Sequence, residues 1–81
     1  MSTTKHKYFW MAVTEEENGK YFSHAWRFSE NDNIKSVLAT FKNLAYANVM
    51  PTKKRAVEVA RYWNECHKKN GTYMFDDAPL F

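Results

Sequence analysis

The sequence predicts an α+β domain: a small antiparallel sheet, made of a β-hairpin plus a third strand, packed against one long C-terminal helix. A short helix is expected between strands two and three. Three observations carry this. Residues 7–14 and 20–28 are dense in β-forming side chains and flank Asn18-Gly19, a pair that tolerates the positive φ of a type I′ hairpin turn. Apolar residues then recur at helical spacing in one short and one long segment, the mark of helices that bury a stripe. Finally, fourteen aromatic residues (three Trp, five Tyr, six Phe) stand against two Gly and two Pro in 81 residues. A chain of this size buries only about 60% of its unfolded surface, so its core must be rich in large groups.

One domain is expected over residues 1–81, with polar residues 1–6 at its start and a tail at 76–81. A two-residue turn at Asn18-Gly19 sets the hairpin register: Glu17 faces Lys20, Val13 faces His24, Met11 faces Trp26 and Phe9 faces Phe28. Side chains alternate along a strand, so these residues share one side of the hairpin. That side, the bulkier, is the expected core face, shared with Ala56, Ala60 and Trp63 of the long helix. Tyr8, Trp10, Ala12 and Thr14 lie on the other side, against Ser29, Arg27, Ala25 and Ser23. Trp10 opposite Arg27 is the expected cation–π pair.

Glu30-Asn31-Asp32-Asn33 breaks the second strand and offers helix caps. Ile34, Val37, Leu38 and Phe41 follow at i, i+3, i+4 and i+7, and Asn43 ends that helix. Residues 44–50 alternate well enough for a third strand. After Pro51, Thr52 is an N-cap for a helix from Lys53 to about Lys69. Ala56, Val59, Ala60, Trp63 and Cys66 or His67 line its inner face, and Lys54, Glu58, Arg61, Glu65 and Lys68 its outer one. Asn70-Gly71 stops it. Thr72 to Phe75 is read as a short strand or an apolar strap.

The whole layout, ending in "PTKKRAVEVARYWNECHKKNGTYMFD", resembles short uncharacterised proteins encoded on mobile elements and in genomes of gut Firmicutes. That resemblance implies mobile-element cargo and nothing catalytic. The stretch Thr52-Lys53-Lys54-Arg55-Ala56, following a strand and opening a helix, is similar to the strand-to-helix junction of integrase arm-type DNA-binding domains. Those domains lay a three-stranded sheet in the major groove with a helix behind it. The expected helix at Ile34 to Phe41 departs from their three consecutive strands.

Cys66 is the single cysteine, so an intrachain disulfide and the common structural zinc sites are excluded within one chain. No apolar run reaches the roughly 18 residues of a membrane span. The polar stretch Met1 to Lys7 lacks the apolar core of a signal peptide. A cytoplasmic protein is the expectation.

For catalysis, the pairing to weigh is His24 with Cys66, both read as inward-facing; a thiolate beside an imidazole is a nucleophile with its base. A free Cys and a lone His are equally at home as core residues, and no Gly-rich turn accompanies them. A metal would recruit His24, Cys66 and His67, but neighbours on a helix point about 100° apart. The acidic pairs Glu15/Glu16 and Asp76/Asp77 read as solvated charge. No catalytic residue, metal site or cofactor is therefore expected.

Binding is the better reading. Tyr8, Trp10 and Arg27 on the open hairpin face, with Tyr21, are the residue types that anchor protein interfaces, which predicts a protein partner or self-association. The competing expectation is that Phe75, Leu80 or Phe81 of the tail folds back over this face. As the alternative, Lys53, Lys54 and Arg55 would neutralise phosphates of a nucleic acid beside the aromatic sheet face. Net charge, at +3, is too small to make that case alone. The mobile-element resemblance adds inhibition of a host defence nuclease as a further reading.

Overall fold

The computed structural model of the chain describes residues 7–75. Strands β1 (Tyr8–Glu17) and β2 (Lys20–Ser29) form the hairpin, followed by helix α1 (Ile34–Ala39), strand β3 (Leu44–Met50) and helix α2 (Lys53–Lys69). The three strands make one antiparallel sheet in the order β2-β1-β3. Asn18 at φ 55° and Gly19 at φ 78° turn the hairpin, and the register runs as expected from Glu17–Lys20 through Val13–His24 to Phe9–Phe28. Asn33 caps α1 by accepting from the Lys35 and Ser36 amides. Thr52 caps α2, its hydroxyl accepting from the Arg55 N–H at 3.1 Å. Thr72 to Phe75 forms the strap: Tyr21 N–H donates to Thr72 O at 2.7 Å and Met74 N–H to Tyr21 O at 2.8 Å. The expectations for residues 1–6 and 76–81, including Asp76, Asp77, Leu80 and Phe81, lie outside the described residues.

The helix lies on the other side of the sheet from the one expected. Asn64 of α2 bonds the main chain of Ser23, His67 stacks on Tyr21 at 4.8 Å, and Trp63 meets Tyr46 edge-on at 4.9 Å. These strand residues share the face of Ala12 and Thr14. Size explains the choice. Ala56, Ala60 and Asn64 form the fully buried stripe of α2, over Ala12, Thr14 and Ser23, which are also fully buried. Small side chains on both surfaces let helix and sheet approach closely, whereas a face of Phe and Trp would hold them apart. The expected common core of Phe9, Met11, Val13, Trp26 and Phe28 with Ala56, Ala60 and Trp63 is therefore two cores on opposite faces.

The bulky face has its own cover. Met11 and Val13 are buried there. Around them Phe41 packs edge-on to Trp26 at 5.0 Å and lies 5.8 Å from His24, while Phe75 meets Phe22 at 5.0 Å. The strap thus covers the bulky face, not the one that carries Tyr8 and Trp10. The cover is partial: α1 buries no residue completely, and Phe9 (40%) and Trp26 (41%) remain exposed. Among the described residues no helix is long and apolar enough to cross a membrane.

Candidate functional site

The expected protein-binding residues and one of the expected phosphate-binding residues meet where α2 begins. The Arg27 guanidinium lies over the Tyr8 ring, 4.3 Å from its centre, and the Lys53 ammonium lies 5.3 Å from the centre of the Trp10 ring. The expected cation–π pair between Trp10 and Arg27 is thus replaced by two others. Arg27 stands directly across the strand from Trp10, but its side chain runs to the ring of Tyr8. Trp10 is left to Lys53, which α2 brings over the sheet.

Helix geometry disperses the rest of the basic run. Successive residues point about 100° apart, so Lys53, Lys54 and Arg55 leave the axis in three directions. Lys53 turns down to Trp10, and Arg55 pairs with Glu58 at 3.7 Å, both well exposed. The first turn of α2 carries no acidic residue. The surface therefore presents Arg27 and Lys53, both on aromatic rings, beside the positive end of the helix dipole. It suits an anionic group that approaches with an apolar neighbour.

Lys53 belongs to the surface for a reason legible in its spacing. It sits three residues before Ala56, so it continues the inward stripe of Ala56, Ala60 and Asn64 towards the sheet. One turn back along the apolar stripe, Lys53 stands on the sheet side of α2, over Trp10.

The nucleophile pairing of His24 with Cys66 is dissolved by the change of face. His24 lies on the bulky side, hydrogen-bonded to Glu15 at 2.8 Å and stacked on Phe22 at 5.5 Å. Cys66 belongs to α2 across the sheet, half-buried. It lines a shallow depression of ≈ 350 Å³ with Tyr62, Glu65 and Lys69. Hydrogen bonding to Cys66, more than charge or burial, holds the Tyr62 phenol above its ordinary range. His67 stays apart from both, with its Nε2 3.3 Å from the Tyr46 hydroxyl, and burial pushes its pKa below the ordinary value. No group of three metal-ligating side chains occurs among the described residues.

Two residues carry roles that the sequence pattern does not display. Asn64 belongs to neither expected face of α2, because a polar residue does not count toward an apolar stripe. Tyr73, left as part of a strap, is buried against Phe22 and Phe75, and that burial raises its phenol pKa. Comparison of the chain with models of known protein families, with curated proteins and with solved structures finds no match.

Proposed function

We propose that this chain is a non-enzymatic binding module of the cytoplasm that holds an acidic segment of a protein partner on Tyr8, Trp10, Arg27 and Lys53. The observation that carries this reading is the pair of cation–aromatic contacts, Arg27 on Tyr8 and Lys53 on Trp10, gathered on one surface. Arg and aromatic side chains are the usual anchors of protein interfaces, and here each cation lies against a ring. A carboxylate-rich segment satisfies both cations while its apolar side chains lie against the ring edges.

Nucleic acid is the weaker fit. Stacking a base requires an open ring face, worth about 1–3 kcal/mol per base, and on both rings a cation already occupies one. Lys54 and Arg55 point away from Lys53, so the triplet does not track a phosphate backbone.

Fluorescence anisotropy with a labelled Glu/Asp-rich peptide containing a few Leu and Phe, beside a labelled single-stranded and a duplex oligonucleotide, tests the proposal. The peptide is expected to bind, and Arg27→Ala or Trp10→Ala to weaken it by about 2 kcal/mol, the loss at a central anchor. Lys54→Ala should change little. Tighter binding of either oligonucleotide, with a log–log salt slope that falls by about one unit when Lys53 is removed, would replace the reading with nucleic-acid binding.

A further inference from the structure

The two edges of the sheet differ. On β2 the outward groups of Tyr21 are taken by the strap, those of Ser23 by Asn64, and the Ser29 N–H by Asp32 at 2.7 Å, which among the described residues leaves open only the stretch of Ala25 and the charged Arg27. Because Tyr21 and Ser23 bond outward, their β1 partners Glu16 and Thr14 bond toward β3, and Glu16 N–H indeed donates to Asn43 O at 2.8 Å. The alternation then continues along β3: Tyr46, Asn48 and Met50, opposite Thr14, Ala12 and Trp10, bond to β1. Ala47 and Val49 point their N–H and C=O groups away from the sheet. Among the described residues nothing bonds them there.

We propose that this edge pairs with β3 of a second copy of the chain, antiparallel about Asn48, to make a continuous six-stranded sheet. The register is self-complementary. With Asn48 facing Asn48 across the two-fold axis, Ala47 faces Val49 in both directions, so all four free groups of each strand are used in four main-chain bonds. The interruptions also match. Ala45, at the register shift between β1 and β3, faces Pro51, which has no N–H to leave unpaired. No residue of β3 is charged, so no like charges oppose each other along the pair; edges kept free of partners usually carry charge.

Stable dimers bury about 1,200–2,000 Å², more than one pair of short strands supplies, so side chains flanking β3 have to take part. Helix α2 lies over β1 and β2 and touches β3 least. With strands about 4.8 Å apart, the two α2 axes would stand about 19 Å apart. A helix with its side chains is about 10–12 Å across, so a cleft of roughly 8 Å separates the two helices, floored by Tyr46 and Met50 of both β3 strands. At about 100° per residue, Val59 and Cys66 project sideways from α2 on the side where Trp63 meets Tyr46 of β3. Tyr62 is 63% exposed, and Val49 on the opposite face is 59% exposed.

A charge exchange at Asn48 tests the pairing, followed by sedimentation velocity over a concentration series. Wild type is expected at twice the 9.6 kDa chain mass. Asn48→Lys and Asn48→Glu each place like charges across the axis and should weaken the dimer about tenfold or more. Mixing the two variants should restore a dimer containing one of each, resolved by native mass spectrometry, which also shows that both fold. Arg27→Ala, on the far edge, should leave the dimer intact while it weakens the peptide binding described above. Wild type that stays a single chain at every concentration, homodimers from both single variants, or no mixed dimer overturns the proposal.

Discussion

The side-chain amide of Asn64 grips the main chain of Ser23 at both of its polar groups: Ser23 N–H donates to Oδ1, and Nδ2 donates to Ser23 O, each at 2.7 Å. One helix side chain thereby stands in for a missing neighbouring strand at the edge of β2. The Ser23 hydroxyl in turn shares a buried 2.7 Å hydrogen bond with Thr14. Asn64→Leu keeps the branched outline of the amide, in a bulkier form, and leaves two buried main-chain groups without partners. A loss of about 2–6 kcal/mol is expected from urea unfolding, since each of the two unsatisfied groups costs about 1–3. A near-wild-type midpoint would mean that water or a local shift replaces the amide.

Side-chain size does not rank the stability costs on the bulky face. Met11 is buried at 1% exposure, whereas the larger Trp26 lies at the rim of its cover. Met11→Ala is expected to cost about 2–5 kcal/mol. Trp26→Ala should cost less, because a half-exposed ring has less surface to return to water. Parallel denaturant curves check the order; a larger loss for Trp26→Ala would show that the Phe41–Trp26 contact holds the connection through α1 in place.

Local signals in this chain were legible and long-range packing was not. Asn18-Gly19 dictates its turn through backbone sterics alone, and the register of ten residue pairs follows from it. Thr52 and Asn33 cap their helices through bonds within three residues. Which face of the sheet receives α2 is decided instead by the fit between two surfaces far apart in sequence. Hydrophobicity pointed to Phe9, Trp26 and Phe28; the small residues Ala12, Ser23 and Ala56 decided otherwise, because close approach outweighs bulk. The same blind spot hid Asn64, whose role exists only once β2 is beside it. From sequence, Tyr8, Trp10 and Arg27 are expected on an open face. They lie instead beneath and beside the start of α2, which is what adds Lys53 to them.

Stability is expected to fall in mild acid through His67. Its ring stacks on Tyr21 at 4.8 Å and its Nε2 lies 3.3 Å from the Tyr46 hydroxyl. Burial lowers its pKa from the ordinary 6.5, although the end of a helix would by itself favour the charged ring. The folded protein therefore holds the imidazole neutral at a pH where the unfolded chain protonates it. Above pH 6.5 neither state is charged, and the group leaves stability unchanged. As pH drops below 6.5 the unfolded state takes up the proton first, so stability declines until the lowered folded pKa is passed. His67→Gln removes the titration and keeps a polar group toward Tyr46. Urea unfolding of both proteins between about pH 8 and pH 5 isolates the effect, because every other group is common to both and cancels in the difference. The wild-type curve should fall more steeply than the variant's on the acid side. Parallel curves would place the burial of His67 too high, and a wild-type curve that rises in acid would mean that the helix end, not burial, governs the ring.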